Sequence, residues 1–313
     1  LGECEAAAAV LESEGDLAGL AEAWGAIGSL RVSLGDSSSA TEAFERAITC
    51  AEESGNHYTK LIVASSLVWA FQELPVPADV AIGRAEQYLE AASGDPWAQA
   101  AILQPLALLY GYAGRFTDAR AAITRAQSTQ TSCGAAIDSA VSAAQAGLIE
   151  MIAGDLAAAQ AELKKGCDAL RATGGRGYLC SLLPRLAEVE YALGRAGEAY
   201  RLTEESEALA GADDLDAQVR WRAARAKVLA QRGQFTAARQ FAGQAEALVA
   251  PTTWADVQAE ILVAKAEVAK LAGAPAEAAA SLREALRIYQ DRRAVALADQ
   301  TRAALASLPT EPA

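Results

Sequence analysis

One glycine-anchored frame, repeated at nearly constant spacing, constrains this chain more than any other feature. In Gly194 to Ser206, GRAGEAYRLTEES, alanine follows the glycine at five residues (Ala199), a bulky apolar residue at eight (Leu202, one short of the nine seen in the other copies) and a small residue at twelve (Ser206). The frame recurs at Gly35 (Ala40, Phe44, Ala47), Gly114 (Ala119, Ile123, Ala126) and Gly154 (Ala159, Leu163, Gly166). It returns at Gly233 (Ala238, Ala242, Ala245) and Gly273 (Ala278, Leu282, Ala285). From Gly114 onward these glycines stand 39 or 40 residues apart, and the 79 residues between Gly35 and Gly114 leave room for two repeats. Self-similarity at a fixed period denotes stacked copies of one supersecondary unit. Seven residues before the six glycines stand Gly28, Ala107, Gly147, Ala187, Ala226 and Ala266, all small. Small side chains let two helices of a tight antiparallel hairpin approach, with larger apolar residues filling around the contact.

Composition sets the helix type and the excluded partners. Hydrophobic residues make up 52% of 313 positions but aromatics only 6%, so the apolar fraction is mostly alanine and leucine. Alanine is the strongest helix former, and the expectation is an all-α chain. A net charge of −13 repels phosphate, which argues against nucleic acid and against an anionic membrane surface as partners. We find no run of about 18 uncharged apolar residues, so no membrane span is expected. Cys4, Cys50, Cys133, Cys167 and Cys180 are odd in number and lack CxxC spacing. We read them as buried thiols in a reducing, cytoplasmic setting. The chain opens Leu-Gly-Glu and its only methionine is Met151, so we read it as a piece of a longer protein; its last residues, Pro-Thr-Glu-Pro-Ala, suit a natural C-terminus.

In chain order, Glu3 to Glu14 reads as an amphipathic helix left from an earlier repeat, ended by Gly15 and followed by Asp16 as the next N-cap. Helix A of the first full repeat covers about Leu17 to Leu34 and helix B continues to about Ser54. In the second repeat, helix A (about Tyr58 to Glu73) ends in LPVPAD, where two prolines replace the hinge glycine. Asp95-Pro96 opens the third repeat as N-cap and first-turn proline. A last helix, about Arg292 to Ser307, has no B partner and is expected to cap the open end. Residues 1–308 therefore read as one solenoid of about seven repeats, and 309–313 as a frayed tail.

The small residue at −7, the glycine, the alanine at +5 and the small residue at +12 together resemble the tetratricopeptide repeat. The resemblance implies a right-handed superhelical solenoid of helix hairpins; the period near 40, against the usual 34 of that family, implies longer helices. Several stretches also resemble the C-terminal repeat region of bacterial class III nucleotidyl cyclase and STAND ATPase signalling proteins. They are EGDLAGLAEAW (Glu14 to Trp24), GRFTDARA (Gly114 to Ala121) and GYLCSLLPRLAEVEYALGR (Gly177 to Arg195), with DDLDAQVRWRAARAKVLAQRG (Asp213 to Gly233) and LAGAPAEAAASLREALRIYQ (Leu271 to Gln290). This second resemblance implies a regulatory module behind an enzyme, since neither a GxxxxGKS/T phosphate loop nor a cyclase metal-binding segment is found in the chain.

Chemistry-bearing constellations are few, so no catalytic residue, metal or cofactor is assigned. His57 is the only histidine, which removes the parts for His-based metal sites and catalytic triads, and it is expected in an exposed loop. Asp213, Asp214 and Asp216 suit N-capping better than a cation loop. Glu204, Glu205 and Glu207 read as a solvated face. Carrying over the repeat family's groove positions gives Trp69, Leu108, Tyr112, Leu148, Met151, Ile152 and Tyr191, then Arg220, Lys227 and Lys270, with Glu188, Glu260 and Glu267 among them. An apolar, aromatic groove with a basic end implies a peptide or helix carrying an acidic residue. The alternative is an array that closes further, so that these residues pack on one another. Arg220, Arg222, Arg225 and Lys227 are open to two readings, ion pairs with neighbouring carboxylates or a patch for a phosphate-bearing ligand. The functional expectation is a protein- or peptide-binding module that regulates an upstream domain of its own chain; an independent adaptor or a homodimer scaffold is the alternative. Gly25 and Ser29 stand where chaperone-tail-binding repeats carry clamp residues, so that use is not expected.

The frame makes a direct prediction. Ala199→Leu or Gly147→Leu should overpack a hairpin and cost about 1–3 kcal/mol, read as a lowered melting temperature.

Overall fold

Each hinge is built from backbone conformation and a cap. At Gly154 the backbone turns left-handed (φ +85°) and its N–H bonds back to the carbonyls of Glu150 and Met151. Asp155 then accepts from the amide of Ala158 and starts the next helix. Only glycine adopts that turn at little cost. All six hinge glycines have positive φ. At the proline hinge, Pro77 precedes the second helix instead, and Asp95 caps the third repeat by accepting from Ala98.

The computed structural model describes residues 1–309 and contains sixteen helices and no strand among them. Helix α1 (Gly2–Glu14) precedes seven hairpins. They are α2 (Leu17–Ser33) with α3 (Ser37–Glu53), α4 (His57–Ala70) with α5 (Ala78–Ala91), and α6 (Pro96–Tyr112) with α7 (Phe116–Ser132). Next come α8 (Ala136–Ala153) with α9 (Leu156–Thr173) and α10 (Arg176–Ala192) with α11 (Ala196–Leu209). Then follow α12 (Leu215–Gln231) with α13 (Phe235–Val249) and α14 (Ala255–Leu271) with α15 (Pro275–Asp291), and finally α16 (Val295–Ala306). The even-numbered helices form the inner layer; α6 buries thirteen of its seventeen residues. The odd-numbered helices bury one stripe and face outward, as α13 does through Ala238, Ala242, Ala245 and Val249.

The frame closes each hairpin as expected. The alanines five residues after the hinges are all fully buried. A Cβ on Gly28 would sit 2.7 Å from the Phe44 ring, and one on Gly147 would sit 2.5 Å from Cγ of Leu163, so the −7 position receives the bulky +9 residue of its partner helix. Gly166, at +12, lies against the Ala140 carbonyl of α8, where a Cβ would stand at 2.9 Å.

Closure of the superhelix on itself was only the alternative from sequence. The α13–α14 loop docks on the first hairpin: Thr253 N–H donates to the Gly35 carbonyl (2.8 Å), and Ser37 N–H donates to Thr253 Oγ1 (2.8 Å). Gly35 has a second reason to be glycine, because a Cβ there would meet Thr252 Cγ2 at 2.5 Å. One layer along, Ala255 N–H reaches the Glu73 carbonyl (3.2 Å) and Ala78 N–H reaches the Arg292 carbonyl (2.7 Å). Arg292 is 2% exposed; it donates to both carboxylate oxygens of Asp256 and to the carbonyls of Val76 (2.8 Å), Phe71 (3.1 Å) and Gln72 (3.2 Å). One side chain thus joins α14, the α4–α5 connection and the end of α15.

Several expectations are corrected. Helix α16 does more than cap an open end: it packs on α15 and also reaches α6 and α8 across the ring, where Gln300 Nε2 donates to the Ile152 carbonyl (2.6 Å). His57 is exposed, but as the first residue of α4. Cys167 and Cys180 are buried, whereas Cys4 and Cys50 are half-buried and Cys133 is exposed, so burial does not describe all five. Helix α1 buries only Ala8 fully. Helix α8 is long and apolar enough to cross a membrane by length and composition, yet it carries Asp138 and Glu150 and half of it is buried inside the solenoid. The frayed tail falls on residues 310–313, outside the described residues, apart from Pro309.

Removing the Arg292 side chain would strand Asp256 as a buried, unpaired charge and release three carbonyls. Arg292→Ala should cost about 3–5 kcal/mol in denaturant unfolding. Small-angle scattering should show a larger radius of gyration, since this contact holds the ring shut.

Candidate binding site

The closed inner face leaves three cavities, of about 520, 290 and 350 Å³, arranged end to end. The first is lined by residues from α2 through α14, including Trp69, Leu108, Tyr112 and Leu148. Its lining runs from the exposed Gly177, Tyr178 and Asp213 to the buried Gln72, Gln145, Tyr112 and Trp254. The second cavity shares Leu108, Tyr112 and Leu148 with the first, and the third shares Met151 and Lys227 with the second. Ala304 of α16 lines both of the latter. Cavities of a few hundred Å³ lined mainly by apolar side chains with some placed polar groups are the usual form of a ligand site.

Each residue carried over from the groove pattern lines at least one of the three. Trp69 and Arg220 line the first, Leu108, Tyr112 and Leu148 the first two, and Met151 and Lys227 the last two; Tyr191 and Lys270 line the third. The positions that the repeat resemblance implies for a groove therefore share one run of cavities. What changes is the charge. The expected basic end is already paired: Lys270 with Glu267 (2.6 Å), Lys227 with Glu188 (2.8 Å) and Arg220 with Asp216 and Glu260 (both 2.5 Å). Tyr191 donates its hydroxyl to Glu267 (3.0 Å). Arg225 pairs with Glu207 and donates to Thr203 (3.0 Å), and its guanidinium lies against Trp221, while Arg222 stacks on the same ring. Ion pairing accounts for Arg220, Arg225 and Lys227, whereas Arg222 has no carboxylate partner among the described residues and donates to Gln218. Glu205, held by Arg171, is half-buried and departs from the solvated-face reading, whereas Glu204 and Glu207 are exposed, Glu207 while paired with Arg225. Asp214 caps α12 by accepting from Ala217 and Asp216 pairs with Arg220; among the described residues no cluster suited to a metal ion is found.

Side chains absent from the groove pattern dominate the polar chemistry. Arg185 donates to Glu260 (2.9 Å), and Arg220 approaches the same carboxylate from α12. Burial alone would raise the Glu260 carboxyl, but the two guanidinium groups outweigh it and hold it at about 2. Glu73 is the opposite case. Burial, then the nearby charge of Asp216, push its carboxyl up to about 8; Arg220 offsets this partly, and Glu260 and Asp256 add to it. Its Oε2 has no hydrogen-bond partner among the described residues. Beside it a glutamine chain crosses the layer: Gln145 Nε2 donates to Gln72 Oε1 (3.4 Å), and Gln72 Nε2 donates to the Pro105 carbonyl (3.2 Å). A sequence signal for these residues does exist. Glu73 follows Trp69 by four, Gln145 precedes Leu148 by three, and Arg185 precedes Glu188 by three, so all lie on the inner faces already marked.

No family model matches the chain, and no curated protein matches it. Solved structures do. A Rap protein complexed with competence and sporulation factor aligns at 12% identity over 80% of this chain and 74% of that chain, with a TM-score of 0.58. NprR in complex with its cognate peptide NprX aligns at 12% identity over 82% and 77%, with a TM-score of 0.58. The Rap conjugation gene regulator of the plasmid pLS20, in complex with the Phr* peptide, aligns at 11% identity over 95% and 98%, again at 0.58. At these identities the likeness concerns the fold: an all-α, tetratricopeptide-like right-handed solenoid of helix hairpins with a C-terminal capping helix.

The raised Glu73 carboxyl sets a pH signature with a definite sign. Between the ordinary carboxylate range and about 8 the folded chain keeps a proton that the unfolded chain has released, so stability falls as pH rises through that window. Glu73→Gln removes the decline. Its unfolding free energy relative to the parent should rise by roughly 2–4 kcal/mol between pH 4 and pH 8 in urea titrations.

Proposed function

We propose that the chain is a non-catalytic recognition module that takes a short peptide, or an exposed segment of a protein partner, on the inner face of its closed superhelix. The observation that carries this is the run of three cavities walled by successive inner helices, with Leu108, Tyr112, Leu148, Met151 and Lys227 shared between neighbours. An extended ligand laid along it would touch α4 through α14 at once. Three structures of the same fold are described as complexes with a peptide or a factor, which supports the same use here. Within a larger bacterial signalling protein, such a module would regulate an upstream nucleotidyl cyclase or ATPase. The physical route is the ring closure: a ligand that binds the closed form better than an opened one shifts that equilibrium by its differential affinity. We place the module in the cytoplasm, a reading supported by five cysteines that form no disulfide.

The test is calorimetric. A pool of acetylated, amidated hexapeptides should bind the purified chain, and Leu148→Trp, which fills the wall shared by the first two cavities, should weaken binding at least about tenfold, the scale of 1.4 kcal/mol. Phe235→Ala on the outer layer should leave binding unchanged. Equal affinity of the Leu148→Trp variant, with an unaltered melting temperature, would exclude the inner face as the site.

A further inference from the structure

We propose that the first cavity receives an organic cation, the guanidinium or ammonium group of a basic residue in the bound peptide, with Glu73 Oε2 and Gln145 Oε1 as its acceptors. The assignment rests on the reading of the inner face as a peptide site and adds the chemistry of what enters it.

Charge carries the argument first. Six carboxyl groups line this cavity against two guanidinium groups. Each nearby cation is committed elsewhere: Arg185 to Glu260, Arg220 to Asp216 and Glu260, and Arg292 to Asp256 and three carbonyls. Asp214 is occupied as the N-cap of α12 and accepts from the Cys180 thiol. Glu73 alone among the buried carboxyls of the wall is left with an oxygen that has no partner among the described residues. Burying a carboxyl beside other acids without a cation is costly, and structures keep such groups chiefly where they serve a site.

A second observation is independent of the acids. Of seven buried side-chain atoms without a hydrogen-bond partner among the described residues, three line this one cavity: Glu73 Oε2, Gln145 Oε1 and Trp254 Nε1. Gln145 is 4% exposed and Trp254 2% exposed, so neither is served by bulk solvent. Buried polar groups are nearly always hydrogen-bonded, and the exceptions call for an explanation. Two acceptors and one donor on side chains that line one cavity describe a counterpart rich in N–H groups with a nearby carbonyl, which a basic residue and its peptide backbone supply. An acidic ligand, the expectation from the groove pattern, would add charge to the same side. The cation would also draw the Glu73 carboxyl down from about 8, so binding below that pH releases a proton. Asp213 and Asp214 before α12, Asp216 and Arg220 of α12, Asp256 and Glu260 of α14, Tyr178 and Arg185 of α10 and Tyr112 of α6 are the other titratable groups lining the cavity, and Asp216, Arg220, Asp256, Glu260 and Arg185 are already in ion pairs.

The experiment compares three hexapeptide pools, acetylated and amidated, with arginine, citrulline or glutamate at one fixed central position and apolar residues elsewhere, together with agmatine as a free cation. Calorimetry on the purified chain should show the arginine pool binding about tenfold more tightly than the citrulline pool, the scale of one charge-assisted hydrogen bond, with the glutamate pool weakest. Glu73→Gln should bring the arginine pool down to the citrulline level and leave citrulline binding unchanged. Gln145→Met, a second route to the same acceptor pair, should weaken the arginine pool several-fold. In buffers of different ionisation enthalpy at pH 7, arginine binding should release a proton in the parent and none in Glu73→Gln. Equal affinity of all three pools, or arginine binding untouched by Glu73→Gln, overturns the cation and leaves the peptide site standing. Binding of agmatine with the full affinity and proton release of the arginine pool supports the cation and overturns the peptide as its carrier. Absence of binding by every probe overturns both.

Discussion

The structure depends on how closely two helices can approach. Where Gly28 and Gly147 leave no Cβ, the Phe44 ring and Leu163 occupy the space, and the other four glycine-hinged hairpins carry alanine at the same position. Because the contact is made by backbone and by side chains with little or no rotamer freedom, it fixes hairpin geometry at small entropic cost. Seven nearly identical hairpins then add their small rotations, and the sum brings the last turn of the array back to the first. Ring closure is a consequence of local packing repeated.

Closure changes what an inner face is. In an open array the concave surface faces water and its charges are screened; here the same surface is enclosed, and a charge must find a partner or shift its proton. The inner layer shows both outcomes within one cavity. Glu260 sits between Arg185 and Arg220 and stays ionised to about 2, while Glu73, lining the same cavity, rises to about 8. Two carboxyls of one site pushed in opposite directions mark a place where environment, not residue type, sets charge.

The fold was almost fully legible in the sequence, because the frame is local: a hinge glycine, its cap and the small residues at fixed offsets act within one hairpin. The inner positions came instead from the repeat resemblance, and Trp69, Tyr112 and Tyr191 line the inner cavities. What could not be read were contacts between residues far apart in sequence. Arg292 looked like the start of a cap and is the latch between α14 and the α4–α5 connection. Arg220 and Lys227 looked like part of a basic end and are neutralised by Glu260 and Glu188 of neighbouring helices. Sign of charge along an inner face is settled by the facing helix, and periodicity is silent about facing helices.

The contact of Gly35 with Thr252 and Thr253 has a consequence for how such a chain can evolve. Open solenoids gain or lose units freely, since each touches only its neighbours. Here an extra hairpin would carry the Thr253 amide past the carbonyl it donates to, and one fewer would leave it short. Copy number is therefore quantised by the ring, and diversification is channelled into substitution on the inner wall.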